Sequence, residues 1–403
     1  MSLLSFLMVS LICTSSTAQN ETPSEAFETF ADWCLNQASL TPETRHTVQV
    51  LLAEAETQDC TQAEETLNNL TELVLWRSEI VDVMPLASLT HLTGLSLNIN
   101  YIVDVSPLTS LTNLTTLSLG SNQIADVSPL ARLNNLTELH LHENQIADVT
   151  SLARLTNLTK LSLNSNNITD VSPLASLTNL NELYLTSNQI GDITSLARLT
   201  NLTRLSLINN NIADVSPLKS LINLNELYLE EAGIKDVSPL ANLTNLTRLY
   251  LSVNNIADIT PLANLTNLTE LSLISNDIAD ITPLANLTNL SNLLLSDNDI
   301  ADITPLAGLT NLTQLSLDLS GVADVTPLTH LSNLEGLSLR ENQIVDVTSL
   351  ASLTNLTRLE LYNNQIADVT PLASLTNLNW LDLGENPLSD RTCPVQPETV
   401  CQF

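Results

Sequence analysis

The stretch that decides the fold runs Leu114-Thr115-Thr116-Leu117-Ser118-Leu119-Gly120-Ser121-Asn122-Gln123-Ile124-Ala125-Asp126-Val127-Ser128-Pro129-Leu130-Ala131-Arg132-Leu133-Asn134-Asn135. Leu117-Ser118-Leu119 alternates apolar and polar residues, the pattern of a short strand with one buried side. Asn122 follows, placed to turn the chain and to bond backbone groups that no strand ladder satisfies. Asp126-Val127-Ser128-Pro129-Leu130 then reads as a helical turn, with Ser as N-cap and Pro at the first helical position. The turn is so short that a 3₁₀ or single α-turn is expected.

The same 22-residue unit, L-x-x-L-x-L-x-x-N-x-I-x-D-V-[ST]-P-L-x-x-L-T-N, starts at Leu70 and keeps phase through fourteen copies, with a partial fifteenth from Leu378. Ser or Thr holds the cap position in all full copies but the first, where Met84 stands. Pro follows except at Ser151, Ser195 and Ser349. Asn144, Asn166, Asn188 and Asn210 repeat the role of Asn122. A 22-residue unit cannot bury its own apolar face, so successive copies must stack into one continuous core. The expected fold class is an α/β solenoid. Its curved parallel sheet would lie on the concave face and short 3₁₀ or α-turns on the convex face. Fifteen strands at about 4.8 Å would give an arc roughly 70 Å long.

These motifs resemble the leucine-rich-repeat superfamily, and the phase of Asn, Ile and Asp is similar to that of bacterial internalin-type repeats. The resemblance spans residues 70–390. It implies a secreted or surface protein whose concave face binds another protein. Unlike the best-known members, the sequence shows no Ig-like segment after the repeats and no wall-sorting motif, so a role in host invasion is not implied.

Residues 1–18 read as a secretory signal peptide. An apolar run from Leu3 to Ile12 precedes the small residues Ser16-Thr17-Ala18. That run is too short to span a bilayer, which needs about 20 residues. Residues 19–69 read as a helical N-terminal cap. Thr22-Pro23-Ser24-Glu25 and Thr61 with Glu64 have the spacing of capping boxes. Thr41-Pro42 opens a helix running to about Thr57, with Val48, Leu51, Leu52 and Ala55 on one face. Residues 391–403 read as a C-terminal cap. Once Cys13 leaves with the leader, Cys34, Cys60, Cys393 and Cys401 remain. A solenoid keeps its two ends far beyond the ~7 Å reach of a disulfide, so the expected pairs are Cys34–Cys60 and Cys393–Cys401. Such pairs suit an exported protein, secreted, at the cell surface or periplasmic.

The 403 residues carry 44 acids, 13 Lys or Arg, and a net charge of −31. That balance argues against nucleic-acid binding, which needs a basic surface. The apolar fraction of 43% is too high for an acidic disordered chain. Fifteen of the acids form one ladder from Asp82 through Asp236 to Asp390, and ten lie between Glu21 and Glu65. One Asp per copy beside Val or Ile suits a cap on its own turn better than a calcium site, which needs several converging oxygens. His140-Leu141-His142 with Glu138 could face one zinc ion, but Ser118, Lys160 and Ser162 in neighbouring copies are poor ligands. No catalytic constellation or cofactor motif appears, so the expectation is a non-enzyme without cofactor or metal. The recurring N-x-[ST] triplets, such as Asn113-Leu114-Thr115, are products of the repeat.

Outward strand positions are mostly Ser and Thr. The exceptions cluster at Tyr184, Tyr228 and Tyr250, flanked by Arg204, Glu226 and Arg248, with Ile208 and Glu230 nearby. Tyr and Arg are enriched where interfaces hold their energy. In the eighth copy Ala232-Gly233 replaces the ladder Asn, as Ser320 does in the twelfth. A broken rule beside an aromatic cluster can mark a site, although loss in a redundant repeat would look the same. The expected partner is a protein, with a structural spacer role or carbohydrate binding as alternatives.

Overall fold

The structure is a computed structural model, and it describes residues 27–403. The proposed leader and the Thr22–Glu25 capping box lie outside the described residues. From residue 70 the chain winds in coils of 22 residues. Coil 1 covers 70–91 and coil 8 covers 224–245.

Each coil contributes a three-residue strand, from Glu72–Val74 in coil 1 to Trp380–Asp382 in coil 15. The strands pair in parallel with their neighbours in a constant register, as in Leu117↔Leu139 and Leu227↔Leu249. Sixteen strands line up in sequence order, one more than the repeat count predicts. The extra strand, Cys401–Gln402, comes from the C-terminal segment and pairs with Leu381 and Asp382. It occupies the free edge that the last coil would otherwise present to other chains. Opposite the sheet lie fourteen 3₁₀ turns, from Met84–Ser88 to Thr370–Ser374. The solenoid is curved, with the sheet on its concave side.

The repeat consensus is a list of buried positions. In coil 3, Leu114, Leu117, Leu119, Ile124, Val127, Leu130 and Leu133 are all at most 1% exposed, and one apolar core runs unbroken from Phe30 to Cys401. The Asn ladder satisfies the backbone between coils. Asn122 Nδ2 donates to Leu97 O and Leu119 O at 3.0 Å, while its Oδ1 accepts the Ile102 N–H at 3.0 Å. A second Asn row lies on the exposed side, where Asn113 Nδ2 donates to Thr90 O at 2.9 Å. That bond gives the Asn of the N-x-[ST] triplets a structural task.

The turn is capped differently from the sequence reading. Ser128 is the first residue of its 3₁₀ turn, preceded by Val127 at the cap position, and its hydroxyl donates to Asp126 Oδ2 at 3.0 Å. Asp126 takes the capping role: its Oδ1 accepts the Ser128 N–H at 2.8 Å. The same bond recurs along the Asp ladder, from Asp82 with Met84 to Asp390 with Thr392. The carboxylate sits two residues before the donor, the geometry of an Asx turn.

At the N-terminal end, helices α1 (Phe30–Leu35), α2 (Pro42–Glu54) and α3 (Cys60–Asn68) cover coil 1. Thr41 caps α2 as expected, and the helix ends at Glu54, three residues short of Thr57. The expected Thr61–Glu64 capping box is not formed. Asp59 caps α3 by accepting the Thr61 and Gln62 N–H groups. Glu64 instead accepts the Ala31 N–H at 2.9 Å, tying α3 to α1. Helix α2 docks on coil 1 through Thr47 Oγ1, which donates to Asp82 O at 2.6 Å. Disulfides join Cys34 to Cys60 and Cys393 to Cys401, with Cα separations of 5.6 and 5.8 Å. No helix among the described residues is long and apolar enough to cross a membrane.

Candidate partner-binding face

Every coil points three residues outward, two from its strand and one just beyond it, and constant register sets each beside its counterparts in adjacent coils. The first outward column in coils 4–10 reads Glu138, Lys160, Glu182, Arg204, Glu226, Arg248, Glu270, an unbroken alternation of charge. Opposite charges on neighbouring strands attract, so the column locks together. Arg204 grips Glu226 with two parallel bonds of 2.7 Å from Nε and Nη2. Arg248 reaches Glu226 and Glu270 at 2.9 Å each, and Lys160 reaches Glu182 at 3.3 Å.

The tyrosines stand in the second column and lie back over this ladder. Tyr184 donates to Glu182 and Tyr228 to Glu226, both at 2.8 Å, and Tyr250 donates to Glu270 at 2.5 Å. Tyr228 and Tyr250 stack with centroids 5.0 Å apart and planes 8° apart. Their hydroxyls are committed, and the rings form a rigid surface. Burial, followed by the Glu226 carboxylate, pushes the Tyr228 phenol up to about 12. The Arg204 bonds hold the Glu226 carboxyl below its ordinary value.

Ser206 separates Tyr184 from Tyr228 in this column. Its small side chain is 5% exposed and leaves a slot between two aromatic walls. The slot is lined by Tyr184, Arg204, Ser206, Ile208, Glu226, Tyr228 and Arg248. Six of the eight residues singled out from sequence therefore line one depression; Tyr250 backs Tyr228, and Glu230 lies beyond the lining, next to Ile208. Glu230, in the third column, differs from its neighbours. Its Oε2 is buried without a hydrogen-bond partner, and burial raises its carboxyl above the ordinary value.

The histidines form a less complete cluster. His140 Nε2 lies 3.7 Å from Glu138, and burial, then Lys160, lowers the His140 imidazole below its ordinary value. The His142 ring lies over Gly120, where an added Cβ would meet Cε1 at 2.1 Å. Among the described residues no three His, Cys, Asp or Glu side chains converge on a metal position.

Sequence reasoning missed a second charged cluster in coils 12–15. Arg340 Nη2 bridges Glu360 and Asp382 at 3.0 Å each, and Glu360 also pairs with Arg358. Arg358 covers the Trp380 ring at 5.4 Å, within cation–π reach. Asp318 accepts the Ser338 hydroxyl at 2.6 Å and the Arg340 N–H at 2.8 Å. The signal was present as residues of neighbouring columns, 20 to 42 positions apart. Read along the chain, those residues look unrelated.

The three coils without a ladder Asn share one solution. Glu79, Gly233 and Gly321 adopt φ of +57°, +79° and +77°, beside Ser78, Ala232 and Ser320. The coils that keep the Asn have no second left-handed residue at this turn. Loss of the Asn therefore goes with a different turn in all three places.

Comparison with known proteins places this architecture. The model for leucine-rich repeats (two copies) matches residues 112–154, 156–198, 200–242, 244–286 and 332–374, more than half of the chain. An internalin (inlF) of Listeria monocytogenes is 36% identical over 85% of this chain and 95% of its own, with a TM-score of 0.70. The chain belongs to the leucine-rich-repeat family, in its internalin-type form. The functional domain of InlJ from Listeria monocytogenes is similar at 26% identity, covering 91% of this chain and 77% of that one, with a TM-score of 0.74. A leucine-rich-repeat protein of Leptospira interrogans shares the fold at 23% identity and a TM-score of 0.62, covering 93% of this chain and 98% of that one. No curated protein sequence matches this leucine-rich-repeat chain.

Proposed function

We propose that this leucine-rich-repeat protein is exported and acts without catalysis, binding another protein through its outward sheet face. Leucine-rich-repeat solenoids are typically protein-binding scaffolds. In this reading residues 1–18 are a leader, 19–69 and 391–403 are caps, and 70–390 carry the binding face. Tyr184, Arg204, Ile208, Glu226, Tyr228, Arg248 and Tyr250 form the contact surface.

The observation that carries this reading is the aromatic slot. In coils 6–9 three tyrosines are immobilised by a charge ladder that satisfies their hydroxyls. Rings held in place before binding lose little freedom on binding, which suits them as anchors. Affinity capture from the native secretome, with residues 19–403 as bait, tests it. The double variant Tyr228→Ala, Tyr250→Ala should lose a captured protein while it still melts cooperatively as a folded solenoid. Undiminished capture contradicts the assignment of the surface. A glycan array run with the same bait tests the carbohydrate alternative.

A further inference from the structure

Glu230 is the exception on the aromatic face. Glu182, Glu226 and Glu270 each hold a cation and a tyrosine hydroxyl. Glu230 has neither, and one of its oxygens is buried without a partner. A buried acceptor with no donor costs stability, and such a cost is tolerated where a ligand supplies the missing group. Its location names the ligand. The Asn209 N–H donates to Glu230 O at 2.9 Å, which keeps Ile208 and Glu230 side by side on adjacent coils. Ile208 lines the slot between Tyr184 and Tyr228.

We infer that this slot receives a long cationic side chain of the partner, arginine or lysine, whose charged head pairs with Glu230. The inference rests on the protein-binding reading above. Tyr184 and Tyr228 stand two strands apart, roughly 10 Å at about 4.8 Å per strand. Subtracting the van der Waals half-thickness of each ring leaves roughly 6 Å, room for one unbranched or planar chain. The aliphatic stem packs between the rings and against Ile208, and the aromatic faces attract the charge. The two arginines of the lining are already paired, Arg204 with Glu226 and the Tyr184 hydroxyl, and Arg248 with Glu226 and Glu270, so they leave Glu230 as the acid without a cation. An apolar occupant would seal Glu230 away from water with no partner. An acidic one would add repulsion.

The test uses the mature chain and three capped peptides, Gly-Leu-Xaa-Leu-Gly, with arginine, citrulline or norleucine at Xaa. Binding is followed by NMR shifts of the Ile208 methyl and the Tyr184 and Tyr228 rings. The arginine peptide should saturate those shifts, with citrulline and norleucine at least tenfold weaker. Glu230→Gln should bring the arginine peptide down to the citrulline level. Ile208→Arg, which offers Glu230 an internal cation and fills the slot, should abolish binding and raise the melting temperature. Absence of arginine-peptide binding, equal binding of citrulline, or an unchanged affinity in Glu230→Gln overturns the inference. A captured partner lost with Tyr228→Ala but kept with Glu230→Gln overturns the cationic ligand alone. A captured partner kept with both variants overturns the binding surface as well.

Discussion

Coils 8 and 12 break the repeat in the same way and use the break differently. Both exchange the ladder Asn for a small residue followed by a left-handed Gly, and both place an acid in the third outward column, Glu230 and Asp318. Asp318 is consumed by Ser338 and the Arg340 backbone, inside a network that continues through Arg340 to Glu360 and Asp382. Glu230 is left without a partner beside a slot walled by tyrosine. The altered turn therefore does not make a site by itself. The difference lies in whether the neighbouring coil supplies a partner for the carboxylate. Coil 13 does so with Ser338 and the Arg340 N–H. On either side of Glu230 the same column offers Ile208 and Ser252, neither a cation.

The largest effect is expected in the Asn ladder that coils 8 and 12 have lost. Asn276→Ala removes donors to Leu251 O, Leu273 O and Ile274 O and the acceptor of the Ile256 N–H. Leaving such buried groups unpaired costs about 3 kcal/mol in sum. Chemical denaturation should show that loss; a loss below about 1 kcal/mol would mean that neighbouring coils relax to replace the amide.

The next effect separates the two regions. Arg340→Ala leaves Glu360 and Asp382, both 8% exposed, facing one another without their shared cation. About 2 kcal/mol of stability should be lost, within the range for hydrogen bonds to charged groups. A stability within error of wild type would show that the coil 12–15 network is not structural.

Acid should affect the two kinds of carboxylate in opposite senses. Bonds from Thr150, Thr194 and Thr260 hold Asp148, Asp192 and Asp258 of the ladder below their ordinary values. A lowered folded value gives stability that is present above the unfolded value and lost as pH falls through the folded one. Glu230 is raised, by burial first and by its neighbour Glu231 among the lesser causes. Its ionisation opposes folding as pH rises through the folded value. Glu230→Gln should therefore melt slightly above wild type at neutral pH, and the gap should close below the ordinary glutamate range. A gap that persists in acid would assign the effect to packing instead.

The coil was legible because burial imposes it on every copy. Leucine positions, the Asn row and the Asp row repeat at one interval, and each can be explained within a single copy. The outward face was legible only in part. Tyrosine stood out against serine, so the patch in coils 6–9 could be found. The charge alternation from Glu138 to Glu270 consists of residues 22 positions apart, and the Arg340 network of residues 20 to 42 apart. They appear once the copies are aligned in columns. The C-terminal strand was not legible, because Cys401–Gln402 carries no repeat signature and pairs through its backbone. Whether an acid finds a partner depends on the reach of side chains across coils. For that reason Glu230 and Asp318 looked alike in the sequence.

The central claim is that coils 6–9 bind while coils 12–15 support. Its most direct measurement titrates one captured partner against two variants in parallel. Tyr228→Ala, Tyr250→Ala should lose at least tenfold in affinity while the chain still melts cooperatively. Arg340→Ala should keep its affinity and melt lower. The reverse pattern, with affinity lost in Arg340→Ala and kept in the tyrosine variant, would contradict the account.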